Sequence, residues 1–493
     1  MSGRSRRLAA LESHVAALER PGPERPRGPA PYPGTILDAM ADAGMTGESW
    51  AAWRTFWRSV FALPLAPAEV DVFRRHTGRS APPERPVREV FQIIGRRGGK
   101  TRNAALAALW LGCRENYHAS LAPGERAVVA CVGADRGQAR QVLGYLKGLA
   151  EAPAFRPYVT RTFTETVLLA TGARIEVHAA SYRTTRGYTI AGVVADELAF
   201  WRTEDSANPD TEILAALRPG MATVPGALLA GLSTPYARRG ELFKAWERYF
   251  GKDDPDVLVW VAPSLAMNPS LDPSVIERAY ADDPLAAAAE YGAEWRKDVA
   301  PFLSSEAVEA CVVPERRELP PRRGVAYIAF CDPSGGSQDA MTLAVAHLEG
   351  ERGVLDLVRE VRPPFSPDQV CADFAATLKT YGVVEVRGDR YAGEWPRERF
   401  QVHGVHYRVS ERTKSDLYRE LLPLVNANRV ELLDLQRLWL QLLGLERRVA
   451  RGGKDSVDHG PGGHDDVANA AAGALVQVLD NSARMPGGFV FNV

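Results

Sequence analysis

An apolar run, Val90-Phe91-Gln92-Ile93-Ile94, meets a glycine-rich turn, Gly95-Arg96-Arg97-Gly98-Gly99, followed by Lys100-Thr101 and the helix-forming run 104–109. Strand, tight turn and helix in that order is the plan of a phosphate-binding loop. The turn brings backbone N–H groups and the positive end of a helix to one point, where a triphosphate can sit. Gly95, Arg96, Arg97, Gly98 and Gly99 would cradle ATP, Lys100 would reach its outer phosphates, and the Thr101 hydroxyl would help hold Mg²⁺. The run departs from G-x-x-x-x-G-K-[ST] at its first glycine, where Ile94 stands. Only eight of the 60 basic residues are lysine, so a lysine between Gly99 and Thr101 stands out against an arginine background.

A second nucleotide signal lies 96 residues after Lys100, in Ile190-Ala191-Gly192-Val193-Val194-Ala195-Asp196-Glu197. A buried strand ending in two acids suits hydrolysis of Mg²⁺-ATP. Asp196 can bind the metal or its water shell, and Glu197 can orient and deprotonate the attacking water. The same pattern also describes a strand running into a solvated turn. Arg183-Thr184-Thr185-Arg186-Gly187 precedes it as a loop able to contact nucleotide or DNA. The run 227–232 ends in Ser233-Thr234-Pro235, where a hydroxyl such as that of Thr234 could sense the γ-phosphate.

The late part of the chain carries different chemistry. Asp332 ends the apolar run 325–331, Asp389 ends 383–388, and His464-Asp465-Asp466 opens an Ala-rich helix after Gly460-Pro461-Gly462-Gly463. Each aspartate alone reads as a turn or helix-cap residue. Together, at two strand ends and a helix start, they can converge at one sheet edge. Clustered carboxylates without cysteine are hard ligands for Mg²⁺ or Mn²⁺. Two such ions would activate water and stabilise the leaving oxygen of a phosphodiester. Asp465 is the favoured ligand of the adjacent pair, Asp466 a second ligand or an orienting neighbour, and His464 a structural or DNA-proximal residue.

Length and composition allow two or three domains of ordinary globular character, with 493 residues, 45% hydrophobic and 25% charged. No apolar run approaches the ~18 residues of a membrane span. The basic N-terminus leads into no continuous apolar segment, so no secretory signal is expected. Five scattered cysteines without C-x-x-C pairing argue against a zinc cluster and for a reducing compartment. A net charge of −1 decides nothing about nucleic acid, since opposed patches can cancel.

Residues 1–49 are expected to form an N-terminal helix (7–19) and a flexible linker (20–34). Strands at 90–94, 127–132, 174–178, 190–195 and 227–232 alternate with helices after Lys100 and at 135–150, predicting a largely parallel sheet covered by helices. This domain spans 50–300, with a helical stretch at 273–296. Pro314, Pro320 and Pro321 mark a linker at 301–324. A further domain, 325–493, carries strands at 325–330, 341–347, 354–361 and 383–388, a Leu-rich helical region at 415–446 and a closing helix near 467–480.

In this order the motifs resemble the large terminase subunit of tailed bacteriophages over roughly residues 50–480. Arg96 before Gly-Gly-Lys-Thr is similar to the family's deviant phosphate loop, which accommodates Ile94. Arg186-Gly187 and Asp196-Glu197 resemble its second ATPase motif, and Ser233-Thr234-Pro235 its coupling motif. Met267-Asn268-Pro269 and the run 290–296 are similar to its lid, and Asp332, Asp389 and His464-Asp465-Asp466 to its nuclease triad. The resemblance implies an α/β chain, a P-loop ATPase domain with a mainly parallel sheet followed by an RNase H-like nuclease domain. It also implies a pentameric ring on the procapsid portal protein that drives double-stranded DNA inward and cuts concatemers, with a small terminase subunit recognising the genome. The implied location is the host cytoplasm, transiently at the portal vertex, with no membrane partner. DNA translocation requires sequence-independent phosphate contacts, which arginines supply.

Rival readings are a helicase-like DNA-dependent ATPase, which leaves the late aspartates unexplained, and a non-catalytic portal-docking scaffold, which leaves the intact acids unexplained. Ring ATPases often borrow an arginine from a neighbour. Arg136, in the loop that opens the helix at 135–150, is the candidate here, ahead of Arg140. A solvated helix-start arginine is its bland alternative.

Overall fold

The structure, a computed structural model, describes residues 30–122, 124–180, 187–201, 206, 209–337, 339–389, 395–449 and 455–484. The expected N-terminal helix, most of the linker at 20–34, and Arg183 to Arg186 lie outside the described residues.

Eight strands build the first sheet: β1 (Glu89–Ile94), β2 (Ala127–Gly133), β3 (Val159–Thr162), β4 (Thr166–Leu169), β5 (Ala173–Ala179), β6 (Thr189–Asp196), β7 (Leu228–Ser233) and β8 (Val257–Ala262). Their order is β3-β4-β5-β2-β6-β7-β1-β8. Neighbours from β5 to β8 run parallel, and β3 and β4 add an antiparallel edge. Every residue of β2 and of β7 is buried, as continuous apolar runs covered on both faces should be. The helix Lys100–Cys113 buries nearly its whole circumference. It packs on this sheet and against the helices Arg136–Ala150 and Ile36–Asp42. The strands expected here are all present. β3, β4 and β8 were not anticipated, although Val-Leu-Val-Trp-Val-Ala of β8 is a plain buried-strand run.

Parallel strands place all their C-terminal ends at one edge, where α/β sheets bind ligands. Ile93 of β1 pairs with Ser233 of β7, and Leu232 with Asp196 of β6. The phosphate loop, Ser233 and Asp196 therefore share that edge, with β7 in the middle. The stretch expected as one helical region at 273–296 is two short helices, Pro273–Asp282 and Pro284–Glu290. Asp283 caps the second, accepting from the N–H groups of Leu285 and Ala286, and Pro284 cannot continue the first.

The remaining strands are β9 (Val299–Pro301), β10 (Val312–Val313), β11 (Tyr327–Asp332), β12 (Met341–Glu349), β13 (Arg352–Val361), β14 (Glu385–Gly388), β15 (His406–Val409), β16 (Val430–Leu433), β17 (Leu445–Val449) and β18 (Asp455–His459). Seven form a mixed sheet in the order β10-β16-β13-β12-β11-β14-β15. β11, β12 and β13 are an antiparallel meander, and β14 and β15 continue parallel to β11. Alternate side chains feed two cores. Phe330, Ala344 and Leu355 meet the closing helix Asp466–Arg484, while Cys331, Leu343 and Leu357 meet the helix Pro367–Thr380. Gly473 lets the closing helix lie on β11, since a Cβ there would stand 2.2 Å from the Phe330 ring. The mixed α/β architecture agrees with the expected fold class.

Two expectations change. Residues 302–313 are not linker: Phe302, Leu303, Val308 and Cys311 enter the second core, the helix Ser305–Cys311 forms, and β10 pairs with β16. The prolines and arginines that follow masked those apolar positions. The region 415–446 is not helical throughout, because β16 separates the helices Lys414–Asn426 and Gln436–Leu443 and β17 begins at Leu445. Asn428 turns the chain there with φ 52°, a conformation asparagine tolerates. β17, β18 and β9 form a small third sheet. Among the described residues no helix is long and apolar enough to cross a membrane.

Candidate functional site

The phosphate loop is held from below and from the side. Gly99 has φ 90° and starts the helix Lys100–Cys113, a backbone state glycine adopts freely. Gly95 is required by closeness, because a Cβ would lie 2.3 Å from Ser264 Oγ. Trp53 Nε1 donates to the Gly98 carbonyl at 2.9 Å, and Asn103 Nδ2 to that of Gly99 at 3.2 Å. Ser264 Oγ donates to the Arg96 carbonyl at 2.6 Å and Asn268 Nδ2 to that of Arg97 at 2.9 Å. Arg96 is ion-paired with Glu290. The segments expected to form a lid, around Asn268 and Glu290, thus clasp the loop.

Lys100 is 5% exposed and donates to the carbonyls of Ile94 (2.8 Å) and Gly95 (3.3 Å). Burial lowers its pKa, against the opposing pull of Glu197, Asp196 and Glu290. Asp196 is 3% exposed. Burial and then the Glu197 charge push its pKa up to about 7, opposed by Lys100 and by a hydrogen bond from Thr101. Asp196 Oδ1 has no hydrogen-bond partner. A buried acceptor left orphaned costs about 1–3 kcal/mol, which a cation would repay. The Thr101 hydroxyl beside it completes a hard-oxygen pair suited to Mg²⁺. Glu197 follows with φ 51°, and its Oε2 accepts from Ser233 Oγ at 3.0 Å. Arg96, Glu197, Thr234 and Glu290 line one cleft of about 420 Å³, of the size ligand sites take.

The second acid group assembles around the closing helix. Asn469 Nδ2 donates to Asp332 Oδ2 at 2.9 Å and to Asp389 Oδ2 at 2.7 Å, clamping the two carboxylates together. Gly388 makes this approach possible, since a Cβ would fall 2.2 Å from the Cys331 carbonyl oxygen of β11. Burial raises the pKa of both acids, and each is also raised by neighbouring carboxylates, Asp465 among them. Asp465 is held by Lys414 Nζ at 3.0 Å and Tyr418 OH at 2.9 Å. These two donors are one turn apart on the helix Lys414–Asn426. Lys414 also reaches Asp458 at 2.8 Å. Asp466 is 9% exposed, its Oδ2 is buried without a hydrogen bond, and burial raises its pKa. Raised, crowded carboxylates with an orphaned oxygen are a donor set for hard divalent ions.

A seam joins the groups. Glu446 of β17 is fully buried, accepting from Tyr236 OH at 2.7 Å and ion-paired with Arg239, both just after Ser233-Thr234-Pro235. Removing one partner of such a buried pair costs about 3–5 kcal/mol, so the seam fixes how β17 sits on the first domain. Arg448, Pro461 and Gly462 from beyond β9 line the same cleft as Glu197.

Lys100, Thr101, Asp196 and Glu197 come together as the sequence suggests; Asn469 joins Asp332 to Asp389, whereas among the described residues the three potential ligand residues whose ligand atoms lie within 4.8 Å of one another are Asp458, His459 and Asp465. Arg136 is exposed at the first position of its helix. Asp135 and Gln138 line the cleft instead. Asn469, Lys414 and Tyr418 were not singled out by sequence, and Ser233 was marked only as part of the hydroxyl motif, not as the partner of Glu197. Asn469 lies one helical turn after Asp465, and Lys414 is another of the rare lysines, so both carried a readable signal.

No family model and no curated protein matches the chain. Among solved structures it is similar to the large terminase of bacteriophage HK97, at 16% identity and TM-score 0.36, covering 87% of this chain and 99% of that one. A large terminase from a thermophilic bacteriophage, in complex with ADP, aligns at 15% identity and TM-score 0.35, over 79% and 94%. The large terminase nuclease of the thermophilic phage G20c aligns at 17% and 0.32, over 36% and 99%.

Proposed function

We propose that this chain is a terminase-type DNA-packaging enzyme, an ATP-hydrolysing translocase joined to a metal-dependent endodeoxyribonuclease. One observation carries the reading. A single chain carries a lysine-bearing phosphate loop beside an orphaned strand-end acid, and an asparagine-clamped pair of aspartates at strand ends of a separate mixed sheet. A helicase-like ATPase would need only the first.

At the first site Lys100 and the loop N–H groups hold the phosphates, and Thr101 and Asp196 would hold Mg²⁺. Glu197, oriented by Ser233, accepts the proton of the attacking water. Ser233, which donates to Glu197, stands three residues before Tyr236, whose hydroxyl donates to Glu446 of β17, a short route by which the two could be coupled. At the second site Asp332, Asp389, Asp465 and Asp466 would hold two Mg²⁺ or Mn²⁺ ions. Such ions, when bound, activate water and stabilise the leaving oxygen of a phosphodiester. Asn469, Lys414 and Tyr418 fix the carboxylates that receive them.

The substrate is double-stranded DNA. The partners are the portal protein, a small terminase subunit and further copies in a pentameric ring, in the host cytoplasm and at the portal vertex. Arg136, exposed at a helix start, is the arginine offered to a neighbouring copy. The test is purified protein assayed for DNA-stimulated Mg²⁺-ATPase activity and for Mn²⁺-dependent plasmid cleavage. Both activities are expected, with cleavage abolished by EDTA. Absence of ATP hydrolysis, or cleavage that survives EDTA, contradicts the reading.

A further inference from the structure

The cleft that opens beside the phosphate loop at Arg96 and Glu197 has two walls from different parts of the chain. One carries Arg96, Glu197 and Thr234, and the other carries Arg448, Pro461 and Gly462. With Arg296, three arginines line it, and their charges are not equally free. Arg96 is ion-paired with Glu290. Arg296 holds Asp298 through two nitrogens. Arg448 donates to the His459 carbonyl at 3.0 Å, and its carboxylate contact with Glu446 is long, at 3.9 Å. Glu446 already accepts from Tyr236 and Arg239. The Arg448 side chain keeps 37% of its surface exposed. A guanidinium bonded through one nitrogen to a carbonyl, with Glu446 at 3.9 Å and Asp298 near enough to feel its charge, and open to a cleft, keeps further donors for an anion.

We infer that Arg448 contacts the phosphate tail of the bound nucleotide, so that the nuclease-bearing half of the chain supplies one wall of the ATP site. The inference rests on the nucleotide reading above and adds a residue to it. Arginine suits the role because its planar fork can hold a carbonyl at one nitrogen and phosphate oxygens at the others. Its anchor is β17, the strand that Glu446 seats on Tyr236 and Arg239, so the guanidinium is held in place when nucleotide arrives.

Calorimetric titration of the full chain with Mg²⁺-ATPγS, Mg²⁺-ADP and adenosine tests this. Arg448→Ala is expected to weaken ATPγS binding on the order of tenfold, as loss of a charge-assisted contact does. The effect on ADP should be smaller and that on adenosine absent. Arg448→Gln, which keeps a donor for the His459 carbonyl but loses the charge, should behave like Arg448→Ala, and Arg448→Lys should recover part of the affinity. Unchanged ATPγS affinity in Arg448→Ala overturns the inference. Equal weakening of all three ligands does so too, because it marks a structural role. A wild-type chain that binds none of the three overturns the nucleotide reading itself.

Discussion

Asp196 and Asp332 each end a strand of their sheet, yet their surroundings handle charge drawn away from water differently. Asp196 faces a cation of its own chain, Lys100, while one of its oxygens stays orphaned. Asp332 faces other carboxylates and is tied to Asp389 by a neutral amide. The first arrangement has a positive element ready for polyphosphate and an acid ready for one ion. The second gathers several carboxylates around one lysine, Lys414, which is shared between Asp458 and Asp465. Burying like charges together is costly, so the second site is expected to depend more on metal than the first.

That contrast can be broken by substitution. Glu197→Gln should bind ATP but hydrolyse it about 10²–10⁴-fold more slowly, because only proton acceptance is lost. Steady-state hydrolysis beside nucleotide titration checks this, and near-normal turnover contradicts it. A smaller loss is expected where the residue acts through others. Asn469→Leu removes the clamp but no carboxylate, and should lower metal-dependent plasmid cleavage about 10–100-fold, as loss of supporting contacts around metal ligands does. Raising Mn²⁺ should recover part of that loss, whereas Asp332→Asn should not respond.

The smallest effect is on stability. The raised pKa values of Asp332, Asp389 and Asp466 mean that their protonated forms favour the fold. That contribution is present below the unfolded carboxylate pKa and is lost as pH rises through the folded values. The metal-free protein therefore bears more unbalanced charge as pH rises through those folded values. Mn²⁺ should raise the melting temperature across a pH series, and by more toward its alkaline end. A Mn²⁺ effect that is equal or falls as pH rises contradicts the account of this site.

Legibility in the sequence follows the same divide. The phosphate loop is contiguous, so residues 90–101 announced strand, turn, lysine and helix at once, and Asp196-Glu197 ended a strand of the same sheet. The second site joins Asp332 and Asp389 to Asn469 across 137 and 80 residues. Its aspartates could be picked out by their places at element ends, but the amide between them could not, since its role appears only when the closing helix lies on β11. Lysine scarcity was applied to Lys100 and overlooked at Lys414, which bridges Asp458 and Asp465. The seam at Glu446 was hidden because β17 lay inside a Leu-rich stretch that reads as helix. β9 and β10 were hidden by their brevity.

The central claim is that one chain holds two acid sites with separate chemistry. Its most direct test measures ATP hydrolysis and Mn²⁺-dependent plasmid cleavage on the same preparations of wild type, Lys100→Ala and Asp332→Asn. The account predicts a crossed result: Lys100→Ala loses hydrolysis and still cuts, and Asp332→Asn loses cutting and still hydrolyses ATP. Loss of both activities in either variant, with the fold intact by circular dichroism, or loss of neither, would contradict it.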